Sequence, residues 1–394
     1  MLRLPVRKTT GKACKKEDFM AENDIYTELA ERLGAPTSER FMAILHEMFT
    51  PEEASVCLEL YIPGTIEDLK TALGYDEATI VKILDNLIDR GILTRGETLF
   101  AFHSSLLGFH HDIADTGVHT GPNALPQKVK DLWADFFYNE WSDIWVKSAS
   151  DRKAAGGQGI MLTPAIGAIE ISNISDDDLV PQENWKMQIK LAKKRIIAPC
   201  GCRVLWGKCD HPLMTCFAVF DNSRGTYYLD KPGRLLKEYT EEETLEIVRQ
   251  NEEAGLVHWG VCYCCADACE MLYSYTKHDR FDLVEPNRFQ ASVDEETCVG
   301  CQDCVEKCPF NAVEMVKVPG SKKLKASIIS ENCKGCGVCV VGCKQKALKL
   351  EIVRPKEYMK TREFRFPAPK PSKSGRRIPV NAPIGPYGGF YELG

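Results

Sequence analysis

Cys298-Val-Gly-Cys301-Gln-Asp-Cys304-Val-Glu-Lys-Cys308-Pro309 is answered 35 residues later by Cys333-Lys-Gly-Cys336-Gly-Val-Cys339-Val-Val-Gly-Cys343-Lys344. Both runs have the spacing C-x2-C-x2-C-x3-C. Two residues between successive thiolates let a tight turn present three sulfurs to one iron–sulfur cubane, while the fourth cysteine lies too far along and reaches the other cluster. The spacing predicts Cys298, Cys301, Cys304 and Cys343 on one [4Fe–4S] cluster, and Cys333, Cys336, Cys339 and Cys308 on a second. Zinc ribbons would instead need four ligands in two separated pairs.

The repeat extends past the ligands, since Pro309-Phe-Asn-Ala312-Val313 is echoed by Lys344-Gln-Lys-Ala347-Leu348. Each half reads as a βαβ-like unit, and residues 289–353 resemble the two-[4Fe–4S] bacterial ferredoxins. The resemblance implies low-potential, one-electron transfer without substrate chemistry. Where that family usually has Pro after the fourth Cys, this chain has Lys344, a cation expected to favour the reduced state of the first cluster.

A chain of 394 residues should hold two to four compact units. Eighteen cysteines in an oxidising compartment would suggest disulfides. No secretory signal is read at Met1 and cluster ligation needs thiolates, so a reducing, anaerobic cytoplasm is expected. No stretch approaches the roughly 20 apolar residues of a membrane span. The net charge of −6 is uneven: residues 354–394 carry nine Lys/Arg and three Asp/Glu, with seven prolines. Such a segment cannot build a core. It is either a disordered tail or an arm laid on a subunit surface; Tyr358, Phe364, Phe366, Tyr387, Phe390 and Tyr391 favour the arm, and a homo-oligomer through it.

Residues 41–102 read as a winged-helix module. Thr50-Pro51-Glu-Glu53 has the signature of a helix start, Ile80, Ile83, Leu84, Leu87 and Ile88 recur at helical spacing, and residues 92–102 read as a hairpin wing. Residues 41–100 hold eleven Asp/Glu and four Lys/Arg, with Asp76, Glu77, Asp85 and Asp89 on the would-be recognition helix. That charge repels phosphate, so protein docking is expected and nucleic acid is not. An aromatic helix follows with Trp133, Phe136, Phe137, Trp141 and Trp145, read as core packing or as a subunit interface. Residues 154–159 read as a flexible joint.

Eight further cysteines form two sequence quartets, Cys200, Cys202, Cys209, Cys216 and Cys262, Cys264, Cys265, Cys269. Thiols seldom cluster so densely without a metal or redox task. They suit one or two further [4Fe–4S] clusters, or a structural zinc; an active thiol or an unusual catalytic cluster is the remaining option. Pro199-Cys-x-Cys-Arg203, Cys209-Asp-His-Pro212, Cys216, Glu253-Ala-Gly-Leu-Val-His258 and the second cysteine knot resemble a group of multi-cluster iron–sulfur proteins of anaerobes with a winged-helix-like amino-terminal part. Tyr263, Ala266, Asp267 and Ala268 interrupt the cysteines that group shows in the knot. No nucleotide fingerprint is present, so flavin or NAD belongs to another subunit.

The expected fold is α+β and multidomain: 1–40 helical extension, 41–115 winged-helix-like docking module, 116–160 aromatic helix and linker, 161–288 Cys-rich iron–sulfur domain, 289–353 dicluster ferredoxin domain, 354–394 basic Pro-rich tail. The expected role is electron relay within or toward an anaerobic oxidoreductase complex, with a catalytic or flavin subunit as partner and no catalytic residue of its own. A redox-responsive winged-helix regulator and a self-contained oxidoreductase acting at the middle cysteines are the alternatives.

Overall fold

The computed structural model describes residues 16–96, 98–103, 105–121, 124–217, 228–229, 231–359 and 371–376. Cys14 and most of the tail, with Phe364, Phe366, Tyr387, Phe390 and Tyr391, lie outside the described residues.

The amino-terminal part is helical: α1 (Lys16–Leu33), α2 (Glu39–Met48), α3 (Pro51–Glu59), α4 (Ile66–Leu73) and α5 (Glu77–Asp89), then the hairpin β1 (Leu93–Arg95) and β2 (Phe100–Phe102). Local chemistry sets the helix starts. Thr50 and Glu53 form a reciprocal capping box at α3, and Thr65 and Asp68 form another at α4. On α5, Ile80, Leu84, Leu87 and Ile88 are buried, whereas Ile83 is only partly covered. Gly91 ends the helix with φ +73°, and a Cβ there would come within 2.7 Å of the Gly117 nitrogen. Only glycine fits that turn.

Helix α6 (Leu106–Thr116) leads into α7 (Gln127–Phe136), a π-turn over Phe137–Trp141, and α8 (Ser142–Ala154). The π-turn adds a residue to the helical step, and Trp133, Phe136, Phe137 and Trp141 all turn inward. Phe137 stacks on Trp206 at 4.5 Å. These rings are core of the chain itself, which decides the aromatic helix in favour of packing. The joint beyond α8 is pinned where Gly159 donates to Glu285 Oε1 at 2.6 Å.

The middle contains β3 (Ile160–Met161), α9 (Ile166–Ile171), α10 (Trp185–Leu191), β4 (Ile196–Pro199), α11 (Gly201–Leu205), β5 (Met214–Cys216), β6 (Lys237–Glu238), α12 (Glu241–Glu253), β7 (Val257–Trp259), β8 (Cys262–Cys264) and β9 (Val284–Glu285). Five strands form an antiparallel sheet in the order β6-β4-β5-β8-β7, and β3 pairs parallel to β9.

The last described domain holds β10 (Phe289–Val293), β11 (Val313–Lys317), β12 (Leu324–Ile328) and β13 (Leu348–Ile352), with one-turn helices at Asp303–Glu306 and Val338–Val341. Each half is strand–helix–strand, but the strands do not pair within their half as a parallel βαβ unit would. Instead β10 pairs antiparallel with β13 and β11 with β12. The helices are too short to cross over a sheet, so the two halves close on each other.

Two buried clusters organise the molecule. One runs from α1 through the aromatic helix to Cys202, Cys216 and Cys265; the other holds Cys264, Cys269 and the ferredoxin-like core. The middle cysteines therefore lie on the seam between two cores. Of the described tail residues, 371–376 lie on their own chain's amino-terminal helices: Arg32 donates to the Pro371 carbonyl at 2.8 Å and Arg376 to those of Glu59 and Pro63 at 2.6 and 3.0 Å. Among the described residues no helix is long and apolar enough to cross a membrane.

Candidate metal centres

In the carboxy-terminal domain, Gly300 (φ +73°) and Gln302 (φ +73°) bend the first cysteine loop, and Gly335 (φ +74°) and Gly337 (φ +80°) bend the second. Cys298, Cys301, Cys304 and Cys343 line one cavity, and Cys308, Cys333, Cys336 and Cys339 line another, each partly open to solvent. Backbone N–H groups already face the sulfurs, from Ala326 to Cys298 (3.5 Å), Ala312 to Cys308 (3.4 Å) and Ala347 to Cys343 (3.3 Å). Such donors stabilise negative charge on sulfur. Burial pushes the thiols up, Cys304 to about 11 and Cys336 to about 12, so here a cation must displace the proton. The donor set, its convergence and the N–H groups fit two iron–sulfur cubanes.

Lys344 is exposed. Lys334, only 6% exposed, lines the second cavity instead. The tertiary structure thus sets a buried lysine, its pKa pushed down by burial, beside the second cavity, while Lys344 beside Cys343 faces solvent.

The middle cysteines do not follow their sequence quartets. The register of β5 on β8 sets Cys216 opposite Cys262, with sulfurs 3.8 Å apart. Side-chain contacts run from Cys200 to Cys202, Cys269, Cys264, Cys262 and Cys216. Six thiols thus form one chain, with Cys202, Cys216, Cys264 and Cys269 buried and Cys200 and Cys262 partly buried. Hydrogen bonds from Cys202 and then Cys264 hold Cys269 down at about 5. A hydrogen bond from Cys202, opposed by burial and aided by Arg203, brings Cys200 to about 7. Arg203 is fixed by the Pro212 carbonyl (2.8 Å) and Thr215 Oγ1 (2.9 Å).

Cys209 and Cys265 stand apart from the six. Their sulfurs are 3.7 Å from each other, and His211 and Asp267 complete a group of four donors all within 4.8 Å. Cys57 is buried in the amino-terminal core, far in sequence from every group.

Four residues that sequence reasoning passed over line the six-thiol chain. Helix α6 contributes His110, His111 and Asp115, and Glu270 follows Cys269. His110 Nε2 lies 3.8 Å and His111 Nε2 3.6 Å from the Glu270 carboxylate, while His111 Nδ1 lies 3.7 Å from Asp115 Oδ2. Asp115 also faces the Cys216 sulfur at 3.5 Å, and Glu270 accepts from Cys202. Burial alone would raise Glu270, but the His111 hydrogen bond and the two imidazole charges bring it down to about 2. The available signal was His111 and Asp115 four apart on a helix, together with a Glu beside a cysteine. Nothing in the spacing placed α6 against Cys216.

A family model described as a 4Fe-4S dicluster domain matches residues 291–350. No curated protein matches the chain. Residues 291–350 are a ferredoxin-type iron–sulfur module, and the role such a module supports is electron transfer.

Proposed function

We propose that this chain relays low-potential electrons between the thiol-rich middle centre and the ferredoxin module, within or toward a larger anaerobic oxidoreductase complex in the cytoplasm. Cys298, Cys301, Cys304 and Cys343 hold one [4Fe–4S] cluster, and Cys333, Cys336, Cys339 and Cys308 hold the other. The thiols of Cys200, Cys202, Cys216, Cys262, Cys264 and Cys269 hold at least one more. When bound, such clusters supply reversible one-electron transfer. The protein's part is to shield most of the sulfurs from water, to donate backbone N–H groups to them, and to pack the centres into one fold.

One observation carries this reading: Cys264 and Cys269 share a single buried cluster with Cys298, Cys304, Cys333, Cys336 and Cys339. Packing in one core brings the centres near one another, which is what a relay needs and an independent structural zinc would not require. The amino-terminal, winged-helix-like module is a docking element for a catalytic or flavin subunit, because Asp76 at the N-cap of α5 and Glu77, Asp85 and Asp89 within it are all exposed.

Anaerobic purification with iron and sulfide analysis tests the relay. Two cubanes account for about eight irons, and the expected count exceeds that. A count of about eight removes the middle centre from the relay. Salt-sensitive, sequence-specific duplex binding would instead promote a redox-responsive regulator.

A further inference from the structure

The chain repeats a short step at two distant places: Cys209-Asp-His211 and Cys265-Ala-Asp267. The fold brings the two steps face to face. Cys209 Sγ and Cys265 Sγ are 3.7 Å apart, and His211 Nε2 and Asp267 Oδ2 are 3.2 Å apart. All four donor atoms lie within 4.8 Å of one another.

These separations match the edges of a tetrahedron around one metal ion. Metal–sulfur bonds of about 2.3 Å give a sulfur–sulfur edge of about 3.8 Å, and metal–nitrogen and metal–oxygen bonds of about 2.0 Å give an edge of about 3.3 Å. The loops are held by contacts independent of the four donors. Tyr138 Oη donates to the Trp206 carbonyl at 3.1 Å and to the Asp267 carbonyl at 3.2 Å, and Trp206 Nε1 donates to the Ala268 carbonyl at 2.8 Å. The donor arrangement is thus built before any ion arrives.

We propose that Cys209, His211, Cys265 and Asp267 form a four-coordinate zinc site, separate from the six-thiol centre. Two thiolates, an imidazole and a carboxylate make a closed, borderline-soft set that suits zinc. With His211 30% and Asp267 57% exposed along their side chains, the ion sits at the rim, where it clasps the loop after α11 to the loop after β8. The remaining six thiols are left as the iron-binding set, which ties this site to the relay reading without depending on it.

The test uses the full chain, purified anaerobically, with zinc, iron and acid-labile sulfide measured after competition with a zinc chelator. Wild type is expected to retain about one zinc per chain. His211→Ala and Asp267→Ala, both at partly exposed positions, should each lower zinc retention at least tenfold and leave iron and sulfide unchanged. Cobalt(II) exchanged into the site should show the ligand-field bands of a tetrahedral ion with thiolate charge transfer, lost in both variants. Absence of zinc from wild type, zinc unchanged in both variants, or loss of iron in place of zinc would each overturn the assignment. Zinc retained in a chain whose iron stops at the ferredoxin complement supports the site while removing the middle cluster, so the two readings fail separately.

Discussion

The backbone N–H of Ala165 donates to the carbonyl of Cys336 at 2.9 Å. The middle of the chain is thereby stitched to the backbone of the second ferredoxin loop at one of its cysteines. The neighbouring Gly337 has φ +80°, and a Cβ there would stand 2.5 Å from the Ala168 Cβ. Asn287 adds a second stitch, donating to both the Leu162 and Gly335 carbonyls at 3.1 and 3.0 Å. The two parts meet through hydrogen bonds and close packing.

The crossed arrangement of the fourth cysteines is open to direct test. Cys343→Ser should perturb the signal of the cluster held by Cys298, Cys301 and Cys304, and Cys308→Ser that of its neighbour. Electron paramagnetic resonance of the reduced protein distinguishes the two. The opposite pattern, with Cys308→Ser perturbing the cluster of Cys298, Cys301 and Cys304, would refute the crossing.

Lys334 lies buried against the second cavity, so its charge should stabilise added electron density there. Lys334→Gln should lower the midpoint potential of that cluster by about 30–60 mV, a factor of about three to ten in the one-electron equilibrium. Lys344→Gln, at an exposed position, should move its own cluster less. Anaerobic redox titration reads both, and a larger shift from Lys344 would restore the order expected from sequence.

Glu252 accepts from the backbone N–H groups of Ile166 and Gly167, each at 2.8 Å. Burial nonetheless outweighs these donors and lifts its carboxyl to about 7 from an ordinary 4.5. The folded state thus keeps a proton that the unfolded state releases above pH 4.5. Its contribution favours folding at low pH and is lost as pH rises from about 4.5 to 7, on the order of 3 kcal/mol in all. Glu252→Gln should flatten this part of the stability curve in anaerobic urea unfolding. An unchanged slope between pH 5 and 7 would sink the assignment.

Arg376 donates to the carbonyls of Glu59, Ile62 and Pro63 and lies 3.8 Å from Asp68. Arg376→Ala should destabilise the amino-terminal helices by about 1–3 kcal/mol, the usual worth of charged hydrogen bonds. Iron content should stay constant. Faster amide exchange in α3 and α4 is the expected readout, and unaltered exchange would show that the tail segment contributes nothing there.

The ferredoxin module was legible because its ligand pattern is local: three of each four cysteines lie within seven residues, and turn chemistry determines where they point. The helix start at Thr50 was legible for the same reason, its capping box being a contact between residues three apart. The middle centre was legible only as a composition. Its sequence quartets dissolve because β5 and β8, 46 residues apart at Cys216 and Cys262, are joined by strand register.

By itself, then, the sequence determined that this chain carries a twice-repeated cysteine loop spaced for iron–sulfur ligation, along with its caps and its acidic α5. Only the tertiary structure decided that the middle thiols divide into six and two. It alone brought His110, His111 and Asp115 from α6 beside Cys202 and Cys216, and placed Lys334 rather than Lys344 in the buried position. The physical reason is range. Turns and caps are governed by neighbours along the chain, whereas strand register and the meeting of two cores depend on packing between segments far apart in sequence, which spacing cannot encode.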